Sequence, residues 1–308
     1  MRGEREGDAS VRLQEIISSK PVTRLGLFIG QAMPRWVGYG LARIVADVIA
    51  RRKPEVYWTV RNNLRQIVGL EVDDDHLHRM ARHVFFHAGQ TYYDFFHAVG
   101  QPREVLAESV QGSGIIAERV RAEMTDGQGV LLVAGHMSNF DLVGLSLGAR
   151  DFPSQLLSLA DPQAGFHILN HLRRMAGFEI TPITPEALRA AIQRLNDGGL
   201  VMTGLDRPVP RDRDLVEFFG RPAYLPVGPA RIALMTGSKV FVGCCHYDAD
   251  EGYVVEAVGP IEMVRTGDRS QDSLTNARRL AAILEGYVRA HPEQWMMFHP
   301  FWPETPDV

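Results

Sequence analysis

The strongest indication of fold in this sequence is a short apolar run enclosed by glycines, Gly129-Val-Leu-Leu-Val-Ala-Gly135. The run is too short for an ordinary helix, and its glycine borders are typical of a buried strand. Segments with helical spacing alternate with further short apolar runs along the same part of the chain. The helices are predicted at 75–100, 140–147, 185–196, 226–235 and 273–290, and the other strands at 200–203 and 239–245. This alternation predicts a single α/β domain.

We expect this domain to cover residues 61–305 and to contain a mixed, mostly parallel sheet flanked by helices, preceded by a helical segment at 1–60. A chain of 308 residues with 45% hydrophobic and 23% charged residues has the composition of an ordinary folded protein. The two cysteines, Cys244 and Cys245, are adjacent and cannot form a disulfide framework, which indicates a reducing compartment. No metal site is predicted, because no group of histidines and cysteines has convincing ligand spacing.

Charge is distributed unevenly along the chain. The formal net charge of −4, from 33 basic and 37 acidic residues, gives no support for nucleic-acid binding. Residues 1–65, however, carry twelve Lys or Arg against six Asp or Glu, a net charge of +6, and the remainder carries −10. A basic N-terminal segment on an acidic body predicts attraction to an anionic surface.

The stretch from Val22 to Ala50 indicates that this surface is a membrane. Its apolar residues are interrupted by charges, so no uncharged run reaches the ~18 residues that span a bilayer. The pattern predicts two apolar helices that break near Pro34 and are followed by the basic run Arg51-Arg52-Lys53, which is typical of helices lying in a membrane interface. The alternative is that both helices pack on the protein's own core. Because the mixed charges of the N-terminus do not resemble a signal peptide, we expect a peripheral protein on the cytoplasmic face of the inner membrane.

His136 is the first candidate for catalysis. It directly follows the predicted central strand and precedes a predicted helix, at the edge where open α/β sheets bind their ligands. A carboxylate on one imidazole nitrogen would fix the tautomer and make the other nitrogen a better base. Asp141 and Asp206 are both candidates for that carboxylate, and the alternative for Asp206 is a surface residue paired with Arg207. Backbone N–H groups at the start of the helix are suited to hold an oxyanion.

The spacing of His136 and Asp141 is weak evidence by itself. Two other histidines, His246 and His299, have an acidic residue at the same spacing. Position favours His136, because His246 is followed by a predicted solvated turn. The spacing becomes informative only together with other blocks of sequence.

The segment Gly135-His-Met-Ser-Asn-Phe-Asp141 resembles the histidine-x4-acid box of the bacterial lipid A biosynthesis (lauroyl/myristoyl) acyltransferase family, which includes phosphatidylinositol mannoside acyltransferases. Later blocks follow in the order of that family. They are Leu205-Asp-Arg207, Phe218-Phe-Gly220, Pro226-Val-Gly-Pro-Ala230, Thr236-Gly237, and Pro292-Glu-Gln-Trp295 with His299. The likeness covers about residues 60–303. The charge-interrupted N-terminal segment departs from members that have a clear membrane-spanning anchor.

The resemblance implies a glycerolipid acyltransferase-like fold and transfer of an acyl group from a thioester of coenzyme A or acyl carrier protein to a hydroxyl of a lipid or glycolipid, without a further cofactor. His136 is then the general base, oriented by Asp141 or Asp206. The residues implied in substrate binding are Asn139, Arg173, Arg174, Arg207 and Gly228. Arg174 fits the basic site of the family best, although Arg173 leaves the register open. Three further arginines, Arg211, Arg213 and Arg221, are candidates for binding phosphate. A lipid A precursor, a mannosylated phosphatidylinositol and another glycolipid all remain open as acceptors.

Two other functions are compatible with the sequence. Gly144-Leu-Ser-Leu-Gly148 matches the G-x-S-x-G pattern of serine esterases and lipases, with Asp206 and His299 following in the expected order. That motif needs a strand leading into a sharp turn at the serine, whereas the residues before Ser146 look helical. A non-catalytic lipid-binding protein would keep the fold and the membrane attachment without turnover.

A group of large apolar residues lies near the C-terminus. It comprises Trp295, Met296, Met297, Phe298, Phe301 and Trp302. These side chains could line an acyl groove, but apolar burial explains them without a ligand. We interpret them as core.

Overall fold

The computed structural model describes residues 20–69, 71–124, 127–158, 166–175, 177–207 and 214–302. The helices are α1 Lys20–Ala32, α2 Arg35–Arg52, α3 Glu55–Val68, α4 Asp74–Ala98, α5 Arg103–Ala107, α6 Ser113–Glu123, α7 Phe140–Ala149, α8 Phe166–Met175, α9 Pro185–Asn196, α10 Gly228–Thr236 and α11 Arg269–Ala290, with a 3-10 turn at Pro292–Gln294. The strands are β1 Val130–Ala134, β2 Ser154–Ser158, β3 Phe178–Pro182, β4 Leu200–Gly204, β5 Asp214–Phe218, β6 Arg221–Leu225, β7 Lys239–Asp248 and β8 Gly252–Ile261.

A six-stranded sheet in the order β3-β2-β4-β1-β7-β8 forms the centre of the protein. β1 pairs in parallel with β4 and β7, and β2 pairs in parallel with β3 and β4. β8 runs antiparallel to β7, and β5 and β6 form a separate antiparallel hairpin. The prediction of a mixed, mostly parallel sheet flanked by helices is confirmed.

Both faces of the central strand are buried, which explains its unbroken apolar sequence. Leu131 and Val133 belong to a core that includes Leu284 of α11. Leu132 packs on the other face, in a core that includes Leu147 of α7. Because helices cover β1 on both sides, its carboxyl end is the part of the strand from which a side chain can reach a ligand.

The N-terminal helices place small residues inward and large ones outward. The buried residues of α2 are Gly38, Ala42, Ala46, Ile49 and Ala50. They allow a close approach to α4, where a Cβ on Gly38 would clash with the ring of Tyr93. The exposed large apolar residues of α1 and α2 are Val22, Leu25, Phe28, Trp36, Leu41, Ile44, Val45 and Val48. These helices therefore use a small-residue face for the core and present a wide apolar face to the outside.

The break between the two helices lies at Pro34, as the sequence predicts. None of the described helices combines the length and the hydrophobicity that crossing a bilayer would require. The predicted boundary at residue 60 falls within α3, which continues from the N-terminal helices into the helical layer beside the sheet.

Candidate active site

His136 lies just beyond the carboxyl end of β1, between the ends of β4 and β7. The last residue of β4 is Gly204, and a Cβ at that position would lie only 3.2 Å from Cε1 of His136. The lack of a side chain at Gly204 therefore makes room for the imidazole ring. The side chain of His136 is 21% exposed, so it is held by the protein but remains open on one side.

Asp206 is the carboxylate that holds His136. Its Oδ1 lies 2.6 Å from Nδ1 of His136, and its Oδ2 accepts the backbone N–H of the same residue at 2.7 Å. Burial alone would raise the pKa of the Asp206 carboxyl, but the charge of His136 and the hydrogen bonds from His136 and Trp295 lower this pKa overall. An ionised carboxylate at Nδ1 favours the tautomer that carries its proton there, which leaves Nε2 as the basic nitrogen.

Trp295 completes the environment of this carboxylate. Its indole Nε1 donates a hydrogen bond to Oδ2 of Asp206 at 2.8 Å, and its ring packs against Phe218, Phe301 and Trp302. The neighbouring backbone also fixes the loop that carries His136, because Met296 N–H donates to the carbonyl of His136 at 2.9 Å. The sequence predicts Trp295 as core, which is correct, but it does not predict the contact of the indole N–H with Asp206.

Asp141, the other candidate partner of His136, binds a different side chain. Its Oδ1 lies 2.6 Å from Nε of Arg173, and both side chains are largely buried. Burial tends to lower the pKa of Arg173, but the charge and the hydrogen bond of Asp141 raise it overall. The geometry thus separates the two acids, with Asp206 on the imidazole and Asp141 on a guanidinium.

Asn139 is fully buried at the start of α7. Its Oδ1 accepts the backbone N–H of Leu142 at 3.1 Å, which is the interaction of a helix N-cap. Its Nδ2 donates to the carbonyl of Thr91 at 3.2 Å. These contacts place Asn139 in support of the loop that carries His136, and not in the cavity where the resemblance implies it.

The arginines of the site differ in where they point. Arg173 and Arg207 line the cavity beside His136, and the buried Nε of Arg207 has no hydrogen-bond partner among the described residues. Burial lowers the pKa of Arg207. Arg174 is exposed and does not line the cavity, so the structure brings Arg173 to the site in its place. Arg211 and Arg213 lie outside the described residues, and Arg221 lies in β6, outside the cavity lining.

A cavity of about 710 Å³ has His136 in its wall and is lined mainly by apolar side chains. Part of it runs between the sheet and α7, where it is lined by Leu132, Val143, Leu147, Leu169 and Phe178. Gly228, at the first turn of α10, lies on its wall together with Ile232. Met296 and Phe298 also line it, whereas Met297 and Phe301 are buried in the core. The predicted C-terminal group therefore divides between core and cavity wall.

Two residues that could serve as a nucleophile in a covalent mechanism, Ser146 and Cys245, are both buried. Ser146 is fully buried within α7, and its Oγ donates to the carbonyl of Ala107 at 2.8 Å and contacts Oγ of Ser113. It does not lie at a turn between a strand and a helix, which the serine hydrolase motif requires. Burial raises the pKa of the Cys245 thiol to about 12, so this residue of the cavity wall stays protonated.

The geometry around His136 indicates a class of protein. A buried carboxylate orients a histidine at the carboxyl edge of an α/β sheet, and that histidine lines a mainly apolar cavity. This arrangement is suited to general-base chemistry on a substrate that carries a long apolar chain.

Residues 22–304 match the model of the bacterial lipid A biosynthesis acyltransferase family, and the chain belongs to this family. It is therefore an acyltransferase of lipid or glycolipid biosynthesis, as the resemblance in the sequence predicts. The chain is 26% identical over 293 residues to phosphatidylinositol mannoside acyltransferase of Mycolicibacterium smegmatis, covering 91% of each chain. It is 25% identical over 189 residues to the Mycobacterium tuberculosis protein of the same name, covering 60% of this chain and 58% of the relative.

Proposed function

We propose that this protein transfers a fatty acyl group from an acyl thioester to a hydroxyl of a membrane glycolipid, with His136 as the general base. The observation that carries the proposal is the 2.6 Å contact between Nδ1 of His136 and Asp206, in the wall of a mainly apolar cavity. This contact leaves Nε2 to remove the proton of the acceptor hydroxyl. Asp206 stabilises the imidazolium that forms.

The reaction needs no covalent acyl-enzyme. As Nε2 takes the hydroxyl proton, the acceptor oxygen attacks the thioester carbonyl, the new C–O bond forms and the C–S bond breaks. The leaving thiolate then takes this proton from Nε2 of His136 and departs as a thiol. The backbone N–H groups of Phe140 and Asp141, in the first turn of α7, are suited to stabilise the oxyanion because a helix cannot satisfy them internally.

The lining of the cavity supports a proposal for where the two substrates bind. We expect the acyl chain to lie between the sheet and α7, because the lining there is apolar and mostly buried. Arg173 and Arg207 are basic side chains that line the cavity together with His136. Guanidinium groups bind phosphate well, so they are suited to the phosphates of the donor or to the phosphate of the acceptor.

We propose that α1 and α2 bind the cytoplasmic surface of the inner membrane peripherally. Their wide apolar face includes Trp36, which is 77% exposed, and the basic run Arg51-Arg52-Lys53 follows directly. Apolar side chains gain free energy by entering the interface, and basic ones are attracted to anionic lipids. This surface would bring the protein to its acceptor.

The transfer reaction is tested with purified protein, labelled palmitoyl-coenzyme A or palmitoyl-acyl carrier protein, and anionic vesicles. Separate vesicles contain a phosphatidylinositol mannoside or a lipid A precursor, and products are identified by mass spectrometry. We expect one acceptor to gain a single acyl group in an ester linkage. Absence of acylated lipid with every donor and both acceptors would overturn the proposed transfer reaction and favour a non-catalytic lipid-binding protein.

Membrane binding is tested by sedimentation with vesicles of anionic or neutral lipid. We expect anionic vesicles to bind more protein, and added salt to weaken the binding. Trp36→Glu combined with Ile44→Glu should abolish it. Ile115→Glu, at an apolar residue of α6 that is also strongly exposed, is the matched control. Equal loss with the control, or binding that survives the double substitution, would argue against this surface.

A further inference from the structure

Asp94 of α4 is a buried carboxylate that lies outside the site described above. Its side chain is only 4% exposed. Its Oδ2 accepts hydrogen bonds from Oη of Tyr39 at 2.7 Å and from Oη of Tyr253 at 2.6 Å. Nε of Arg35 lies 3.4 Å from its Oδ1. Because Arg35 and Tyr39 belong to α2 and Tyr253 belongs to β8, one carboxylate joins the N-terminal helix to α4 and to the sheet.

The same helix supports the loop that carries His136. One turn before Asp94, the carbonyl of Thr91 accepts the amide of Asn139, the residue that caps α7 immediately after that loop. α4 thus contacts the N-terminal helix through Asp94 and the catalytic loop through Thr91.

A second route runs through the sheet. Tyr253 is paired with Tyr247 across β7 and β8, and their rings are in edge contact. The backbone of Tyr247 binds the side chain of Gln294 through two hydrogen bonds of 2.7 and 2.9 Å. The carbonyl of Gln294 accepts the N–H of Ser138 at 2.8 Å, and the next residue, Trp295, binds Asp206. Continuous contacts therefore link α2 to both residues of the catalytic pair.

Burying a carboxylate at this position has a cost in folding free energy. Apolar side chains of similar volume would pack helices together without the free-energy cost of removing a charge from water. A buried charge, in contrast, requires its donors to converge in one arrangement. Two tyrosine hydroxyls and a guanidinium meet this requirement at Asp94.

We propose that Asp94 is a positioning residue, which fixes α2 and its outward apolar face relative to His136 so that a membrane-borne acceptor approaches the base in the productive orientation. This inference rests on the proposed function for its catalytic consequence. It concerns the orientation of the protein on the membrane and not the chemistry of the catalytic pair, which Asp94 does not touch.

The test compares two presentations of the same acceptor, the glycolipid that the transfer assay identifies. In vesicles the acceptor is fixed in a surface, whereas in detergent micelles it can approach from any direction. Asp94→Asn and Tyr39→Phe should lower transfer to the vesicle-borne acceptor by about 2- to 30-fold, the range that couplings through packed contacts produce. Transfer in micelles and binding to vesicles should change by less than twofold.

Tyr57→Phe is the matched control. Tyr57 is also a buried tyrosine of the helical layer, but its hydroxyl binds His78 at 2.8 Å, away from Asp94. We expect this variant to keep the wild-type ratio of vesicle to micelle rates. A parallel fall of both rates in Asp94→Asn and Tyr39→Phe would show an ordinary stabilising role and overturn the inference, as would an unchanged ratio.

A measurement without catalysis separates this inference from the proposed function. Spin labels at Arg51→Cys in α2 and Arg189→Cys in α9 report the distance between the N-terminal helices and the sheet layer in vesicle-bound protein. Both native cysteines are buried, so labelling is selective. We expect a narrow distance distribution that broadens in Tyr39→Phe and Asp94→Asn but not in Tyr57→Phe. If the wild type transfers no acyl group, the proposed function fails, and equal widths in all variants would still contradict the positioning role.

Discussion

The indole nitrogen of Trp295 lies 2.8 Å from Oδ2 of Asp206, the oxygen that also accepts the backbone N–H of His136. A tryptophan from the C-terminal segment thus orients the carboxylate that binds His136. The indole ring is fixed in turn by a cluster of aromatic rings that includes Phe218 and Trp302. The pair of His136 and Asp206 is therefore supported by residues that are distant in sequence and close in space.

The first prediction follows from this contact. Trp295→Phe keeps most of the packing but removes the donor to Asp206, and we expect kcat to fall about tenfold with little change in KM, since hydrogen bonds to charged groups contribute about 1.5–3 kcal/mol. The hydrogen bond from Trp295 lowers the pKa of Asp206 in the wild type, so this pKa should rise in the variant. As the pH decreases, the variant should therefore lose activity at a higher pH than the wild type. Steady-state kinetics across pH measure both effects.

Trp302→Phe is the control for this prediction. Trp302 packs in the same aromatic cluster, but its Nε1 donates to the backbone carbonyl of Phe218. An equal loss of kcat in both variants would assign the effect of Trp295 to packing.

The second prediction concerns the two adjacent arginines of α8. Arg173→Gln should raise the KM of the donor or the acceptor severalfold, because it removes a charge from the cavity wall and leaves Asp141 without its partner. Arg174→Gln should leave the kinetics within about twofold, since an exposed residue without a buried partner contributes little. The opposite ranking would place the basic site at Arg174, as the sequence pattern predicts.

The third prediction distinguishes acyl transfer from serine hydrolysis. Ser146→Ala should keep transfer activity, because the hydroxyl of Ser146 is buried and forms hydrogen bonds with Ala107 and Ser113. The variant should lose about 0.5–1.5 kcal/mol in the free energy of unfolding, since it loses one hydrogen bond while the carbonyl of Ala107 keeps a donor from Arg150. Denaturant unfolding measures this loss. Abolished turnover in a folded Ser146→Ala protein would revive the esterase interpretation.

The fourth prediction is a pH dependence of stability. Burial, together with the nearby charges of Arg207 and His136, lowers the pKa of His299 to about 4. Because the unfolded chain takes up this proton near pH 6.5 and the folded protein does not, stability should fall as pH decreases from about 6.5 to 4. The loss attributable to His299 is on the order of 3 kcal/mol at the low end.

His299→Gln tests this assignment. The variant cannot take up the proton, so its free energy of unfolding should depend less steeply on pH across that interval. Urea unfolding at several pH values gives the comparison. Identical slopes in the variant and the wild type would contradict the role of His299.

The sequence predicts the centre of the fold better than its edges. β1, β4 and β7 are apolar runs bounded by glycine or turn residues, and each is buried on both faces, so their composition alone identifies them. β2 and β3 contain Gln155 and Glu179 and are not recognisable as continuous apolar runs. Strands nearer the edge of a sheet tolerate polar residues, which weakens the signal in the sequence.

The residues of the candidate site also differ in how well the sequence predicts them. His136 is predictable because it directly follows the central strand, and local sequence alone cannot choose between Asp141 and Asp206. That choice depends on the parallel pairing of β1 with β4, which brings Asp206 to the imidazole across 70 residues of sequence. The contact of Trp295 with Asp206 and the role of Asp94 depend on tertiary packing. Trp295 lies in a family block, Pro292-Glu-Gln-Trp295, but the sequence analysis interprets it only as core.

The role of His136 as general base is tested by the rate of acyl transfer by His136→Ala and Asp206→Asn in the vesicle assay, with circular dichroism and Tm as controls for folding. General-base catalysis is worth about 10²- to 10⁴-fold, so His136→Ala should lose at least two orders of magnitude in kcat. Asp206→Asn should lose a comparable factor, because the amide cannot stabilise the imidazolium or hold its tautomer in the same way. Asp141→Asn should retain more activity than either. Folded His136→Ala protein that transfers acyl groups at close to the wild-type rate would show that His136 is not the general base.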